Sequence, residues 1–185
     1  MSGAGLTIRL VRPDEHDETS RITVEAYQHS YRGLSEKYLA SLRNVPGRVA
    51  AGEVWVAVDA DGTVVGSVWV PRPGERLSEL ARDDEFDFRQ LAVAPAARGR
   101  GIGDALTRHV IGLARARGAR RVVMNSGPEM TGAHALYLKL GFRRLTEREA
   151  PIEVEPGRWL DLRAFGLDLD DDAAVADAEP ELSRR

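Results

Sequence analysis

The 185-residue chain contains no cysteine. That absence removes disulfides, thiolate metal ligands and cysteine nucleophiles together, and it is compatible with a reducing cytoplasm, the compartment expected here. A strong charge of either sign is also missing. The net charge is −3, so no global basic field points to nucleic acid. No apolar run approaches the roughly 18 residues of a membrane span, and no membrane partner is expected. Met1 to Gly5 lacks a basic stretch followed by an apolar core, so no signal peptide is read there. His16, His29, His109 and His134 show no metal-binding spacing, and Ser126 does not sit in a GxSxG elbow. What is present is an ordinary globular composition, 43% hydrophobic and 30% charged. A chain of this length buries a core without covalent or metal braces.

Periodicity predicts the elements. Leu6 to Val11 alternates as a first strand. A helix capped at Asp14 or Asp17 runs to about Tyr31 with Ile22, Ala26 and Tyr27 inward, and a second covers Ser35 to Leu42. Asn44 to Gly47 breaks the pattern. Glu53–Val58 and Val64–Val70 flank Asp59-Ala-Asp-Gly62, a hairpin signal. A polar, poorly defined loop leads to a strand over Phe86–Val93. Asp104–Arg117 reads as a helix, Arg121–Asn125 as a short buried strand, and Gly132–Leu140 as a helix. Phe142–Leu145 and Leu160–Leu167 close the order. This is an α/β domain with a mixed sheet, expected over residues 1–168, with residues 169–185 an acidic, loosely attached tail.

The stretch QLAVAPAARGRGIG, residues 90–103, ends a strand at a proline and opens a helix through glycines and arginines. Glycine tolerates φ > 0, so Arg98-Gly-Arg-Gly101 can turn several N–H groups to one spot. The helix start adds roughly half a positive charge. Together they suit a phosphate or pyrophosphate. The alternative is a helix start with glycines for tight packing and arginines for solubility. No lysine follows the glycines as a P-loop requires, and Asp104 stands where a dinucleotide fingerprint needs glycine.

Residues 91–106, LAVAPAARGRGIGDAL, resemble motif A of the GNAT acyl-CoA N-acyltransferases, whose core is [Arg/Gln]-x-x-Gly-x-[Gly/Ala]. Ala133-His-Ala-Leu-Tyr137-Leu-Lys-Leu-Gly-Phe142 resembles the family's A-x-x-L-Y-x-x-x-G-F segment, with a strand between the two as the family requires. The resemblance is close from Phe86 to Leu145, and from Leu6 to Val70 is one of element order. It implies a mostly antiparallel central sheet with splayed strands, flanked by helices. It implies acetyl-CoA as acyl donor, its pyrophosphate on Arg98, Gly99, Arg100, Gly101, Ile102, Gly103 and Asp104, and its pantetheine arm paired with the backbone of Leu91, Ala92 and Val93. Tyr137 occupies the family's usual acid position, although it also reads as a core tyrosine. The usual glutamate is replaced by Arg89, which leaves Asp87 or Glu85 as base, or water alone. Met130 stands where an asparagine is frequent, and Asn125 is offered in its place. Tyr27 and Tyr31 fall where relatives line the acceptor pocket.

Acetyl transfer to an amine requires a deprotonated nucleophile, since an alkylammonium has a pKa of about 10. It also requires an N–H near Leu91 or Ala92 to stabilise the carbonyl oxygen, and a proton for a thiolate of pKa roughly 8.5. The expected activity is N-acetylation of a small-molecule or peptide amine in a ternary complex. The acids at 83–87 incline towards a cationic small molecule. The alternatives are a non-catalytic CoA-binding domain, favoured by the changes at 89 and 130, and a nucleotide-binding module using the same turn. No metal is expected. A homodimer, with Trp159–Leu167 in its interface, is expected from the family habit.

Overall fold

A computed structural model of the chain describes residues 5–169. In order they form β1 (Thr7–Leu10), α1 (His16–Ser30), α2 (Glu36–Arg43), α3 (Val45–Ala51), β2 (Glu53–Val58), β3 (Val64–Val70), β4 (Glu85–Asp87), β5 (Arg89–Val93), α4 (Ile102–Ala116), β6 (Arg121–Ser126), α5 (Thr131–Lys139), β7 (Arg143–Arg144), β8 (Pro151–Glu155), β9 (Arg158–Asp161) and β10 (Arg163–Asp168). α3 is a helix where a break was expected. The Asn44 side chain accepts from the Gly47 N–H, and Pro46 sits in the first turn, where its missing N–H costs nothing. The signal read as a break is a cap.

The strands form two four-stranded sheets, β1-β2-β3-β5 and β4-β6-β10-β7, plus the β8–β9 hairpin. The first sheet is antiparallel throughout, whereas β4 runs parallel to β6. The single strand expected over 86–93 is in fact two. Residues 85–87 pair with 121–123 of β6, and residues 89–93 pair with β3. Phe88, 1% exposed, is the pivot between them. The chain therefore leaves one sheet and joins the other within a single residue, so β5 and β6 diverge beyond Asp87 and Val123.

A bulge sharpens the divergence. Ser67 opposes Ala92 and Trp69 opposes Arg89, so Gln90 and Leu91 face Val68 alone. Gln90 takes φ +53, rare for a residue with a side chain. Bulges bend and twist the strand that carries them. The core lies between the sheets and α4, with Val68, Phe88, Leu106, Val110 and Phe165 among its buried side chains. Gly66 on β3 lets α4 approach: a Cβ there would lie 2.9 Å from Ile102 Cγ2 and 3.1 Å from the Ala92 carbonyl.

The long loop before β4 is tied down rather than free. Asp87 accepts from the Leu77 N–H at 2.9 Å and from Ser78 Oγ at 2.8 Å. Residues 163–167, expected at a dimer interface, belong to β10, flanked on both sides by β6 and β7, with Phe165 1% exposed. Trp159 alone of that segment's large apolar residues is exposed. The proposed tail from residue 170 onward lies outside the described residues. Leu169 is still buried and its N–H bonds the Arg120 carbonyl.

Candidate active site

The divergence of β5 from β6 opens a cleft of about 410 Å³. Its floor is β5. The Ala94 N–H bonds Val65 on β3. Successive residues in a strand alternate the direction of their backbone groups. Ala92 therefore also turns towards β3, while Leu91 and Val93 present N–H and C=O to the unpaired edge. Among the described residues no strand covers that edge. Of the three residues expected to pair with a ligand, Ala92 is thus the one whose backbone faces the wrong way.

At one end stands the glycine turn. Gly99 and Gly101 have φ +77 and +75, and Gly101 is the N-cap of α4. The Ala105 N–H makes the first intrahelical bond, to Gly101. The amides of Ile102, Gly103 and Asp104 are left without helical acceptors, as at any helix start. All three residues line the cleft, with Arg98, Gly99 and Gly101. Nothing lies within 4 Å of a Cβ placed on Gly99 or Gly101, so these glycines serve backbone angle rather than space. Gly101→Val therefore reshapes the turn without disturbing the core. A left-handed β-branched residue costs about 1–2 kcal/mol, and the expected result is a roughly tenfold weaker response to acetyl-CoA in a thermal-shift titration, with the ligand-free melting point little changed.

The two arginines of the turn do different things. Arg98 Nη2 donates to the Ala26 carbonyl at 2.9 Å and to Ser30 Oγ at 2.8 Å, which ties the turn to the end of α1. Arg100 points outward, 3.8 Å from Asp59 on the β2–β3 hairpin, and does not line the cleft. Asp104 pairs with Arg108 at 2.6 Å and Lys139 at 3.8 Å, bridging α4 and α5 across the opening.

The other end is aromatic. Tyr27 and Tyr31 line the cleft. Tyr27 is edge-on to both Tyr31 and Tyr38, at 5.5 and 5.9 Å between centroids. Tyr137, 2% exposed, is wedged among Phe88, Phe142 and Phe165. Burial first, then the nearby Tyr31 and Tyr38, raise its phenol pKa. All four tyrosines of the chain thus gather here from positions 27, 31, 38 and 137. The ring of Tyr137 is core, as one reading expects, but its hydroxyl is not at the surface, and Tyr137 is not among the residues lining the cleft.

The two acids offered as base are placed elsewhere. The Glu85 side chain is fully enclosed and accepts from Arg148 at 2.6 and 2.9 Å and from the Arg82 N–H at 3.1 Å, with Arg121 at 3.4 Å. Burial pushes its carboxyl up, but the Arg148 hydrogen bonds, the Arg82 N–H and the two guanidinium charges outweigh that and hold it low. Asp87 is 1% exposed and committed to the loop at 77–78. Neither lines the cleft. Period-2 counting puts Asp87 on the face of Arg89 and leaves Glu85 before the strand, but both acids lie in β4, precede the pivot and belong to the other sheet, where they are buried while Arg89 is exposed. Asn125 is exposed on β6 and also lies outside the lining. Met130 packs instead against the Tyr27 cluster.

Sequence reasoning missed one wall. Gly132, Ala133, Leu136 and Lys139 of α5 line the cleft opposite β5. Their helical spacing on the motif that carries Tyr137 was the available signal. A Cβ on Gly103 would come 3.3 Å from Leu136 Cδ2 and 3.7 Å from Val93 Cγ2, which measures how narrow the groove is there.

A family model described as the acetyltransferase (GNAT) family matches residues 15–142. Mycothiol acetyltransferase of Beutenbergia cavernae is 33% identical over 134 residues, covering 64% of this chain and 42% of that protein. The protein of the same name from Cellulomonas flavigena is 31% identical over 147 residues, covering 76% and 41%. The chain spans about two fifths of the length of these relatives. Among solved structures, yncA of Salmonella typhimurium with its cofactor acetyl-CoA aligns at a TM-score of 0.64 and 24% identity, over 97% of this chain and 99% of that one. That likeness speaks for the fold. The matched span takes in α1, the split strand, the glycine turn and the helix of Tyr137, and the chain belongs to the acetyltransferase (GNAT) family.

Proposed function

We propose that this chain transfers an acetyl group from acetyl-CoA to the amine of an acceptor by direct attack within a ternary complex. The observation that carries the reading is the free edge of β5, which joins a ring of open helix-start amides to a tyrosine-lined end in one cleft. The residues present fit the donor. The amides of Ile102, Gly103 and Asp104 with Gly99, Gly101 and Arg98 would hold the pyrophosphate. Leu91 and Val93 would pair with the amide-bearing arm, and the narrow passage beside Gly103 suits an unbranched chain.

When bound, acetyl-CoA supplies an acetyl group already activated as a thioester. The chain's own part is to orient and to stabilise charge. The Leu91 N–H faces the free edge and is the donor for the carbonyl oxygen. Tyr137 stays protonated because its pKa is raised, so its O–H remains available to donate. It supports the leaving sulfur as a hydrogen-bond donor. The proton that balances the thiolate comes from the attacking nitrogen, because a phenol of raised pKa is a weaker acid than a thiol of roughly 8.5. With Glu85 and Asp87 committed to structural partners, water accepts the proton that frees the acceptor amine.

A silent acetyl-CoA binder is the second reading, and the observation in its favour is the same commitment of both acids. One experiment separates them. Acetyl-CoA is incubated with the chain and a panel of amines and peptides, and thiol release is followed. Turnover of one or more amines is expected. Thermal stabilisation by acetyl-CoA with no release on any of them would establish the binder, and no stabilisation by acetyl-CoA would remove both.

A further inference from the structure

We infer that the acceptor bears a carboxylate beside its amine, and that the buried Arg48 of α3 receives it. The inference rests on the acetyl-transfer reading and names the substrate class for the same site.

Arg48 is 3% exposed. Its Nη2 donates to the Leu42 carbonyl at 3.0 Å. Its Nε and Nη1 are enclosed and have no partner. Among the described residues no carboxylate forms an ion pair with it. A buried guanidinium with two bare donor nitrogens is costly, because desolvation is uncompensated. Burial lowers its pKa to about 10, so the charge persists at neutral pH. Arg148, half-buried as a residue but with its side chain only 8% exposed, has Glu85. Arg48 is the half of such a pair whose anion is missing.

Arg48 does not itself line the cleft but lies behind its acceptor end: Leu42, whose carbonyl it bonds, packs in one cluster with Tyr27, Tyr31 and Tyr38. The Tyr27 and Tyr38 hydroxyls lie within its electrostatic reach, and Tyr27 lines the cleft. Arg89, exposed at the start of β5, adds a second cation near Tyr38. Gln90 lies one residue before the cleft-lining Leu91. Its Nε2 donates to Ser41 Oγ at 3.3 Å, but its buried Oε1 has no partner. It is an unused acceptor of the kind an amine N–H takes. Asp104 is the lone carboxylate among the described residues lining the cleft, and it sits at the pyrophosphate end, paired with Arg108 and Lys139.

This end and the wall behind it therefore hold two cations, several phenols and a bare amide oxygen, and among the described residues lining the cleft no acid stands at this end. A polyamine finds no counter-charge there. An amine with a carboxylate finds both halves of its complement. Arg48 is closed to solvent in the ligand-free chain, so binding requires the Tyr27–Tyr38 pair or the arginine itself to shift.

The test compares matched acceptors: alanine, aspartate, glutamate and phenylalanine, each against its α-amide, with spermidine as the cationic control. Thiol release from acetyl-CoA gives kcat/KM for each, and thermal shift in the presence of CoA reports binding. The free acids are expected to exceed their amides and spermidine by about tenfold or more, as for a hydrogen bond to a charged group. Arg48→Gln is expected to bring the acid-to-amide ratio towards one, chiefly through KM. Should that variant fold poorly, the ratio in the parent chain decides by itself, and Arg89→Gln, at an exposed position, should lower the same ratio. Amides or spermidine turned over as well as the acids would overturn the inference and leave acetyl transfer standing. Free acids that raise the melting point with no amine acetylated would uphold the anion site and remove acetyl transfer. No turnover and no stabilisation by any acid would remove both.

Discussion

Tyr137→Phe is expected to lower kcat by about ten- to a hundredfold, as for a lost hydrogen bond to a charged group, while leaving the thermal response to acetyl-CoA intact. The substitution deletes one oxygen. The ring stays among Phe88, Phe142 and Phe165, and those contacts hold α5 against the sheets. Among the described residues no hydrogen bond is lost with that oxygen that would loosen the helix. A loss confined to kcat, with KM for acetyl-CoA unchanged, marks an interaction made as the leaving group departs. Unchanged kcat would reduce Tyr137 to a core aromatic and return the chemistry to orientation by β5 alone. A collapse of stability would show that the hydroxyl holds the tyrosine group together.

Glu85→Gln is expected to act in the opposite sense, on stability and not on turnover. Its side chain has no exposed surface, and Arg148 is nearly as enclosed. Removing the charge leaves a buried guanidinium facing a neutral amide, a loss of about 3–5 kcal/mol, read from urea unfolding. The folded fraction should keep its kcat. The pH dependence follows from the direction of the shift. The folded carboxyl titrates below its ordinary value, so the pair's stabilisation is fully present above the usual carboxylate range and is lost as pH falls through the lowered value. The variant should lack that acid-limb decline. A stable Glu85→Gln chain with lost turnover would restore Glu85 as the base and overturn its structural assignment.

The local chemistry of this chain is legible where one element declares itself. Asp59 and Gly62 announce the β2–β3 turn. The Asp59 side chain accepts from the Asp61 and Thr63 amides, and Gly62 takes φ +83. The glycine turn is equally plain, because positive φ and an open helix start are backbone properties that glycine spacing encodes. Ile22, Ala26 and Tyr27 face inward on α1 as their spacing predicts. What period-2 counting cannot register is a change of sheet. Residues 85–89 alternate polar and apolar as one strand would, yet at Phe88 the chain passes from β6 to β3. The two acids are thus buried in the other sheet, away from the cleft. Arg48 was illegible for a related reason. Within a segment read as a break it looks like a solvated arginine, and only the packing of α1 and α2 around it shows a cation shut away from water. The gathering of four tyrosines is likewise tertiary, since nothing local relates position 137 to positions 27–38.

The passage of one uninterrupted run through both sheets has a mechanical consequence. The halves of the molecule are hinged there by covalent backbone, and along β5 nothing in the described residues bridges them with main-chain bonds. A molecule lying against Leu91 and Val93 would act as the absent rung and lend its rigidity to both halves at once. Donor occupancy should therefore register far from the groove, as slower amide exchange in β3 and β6 alike, because the donor completes the architecture it occupies.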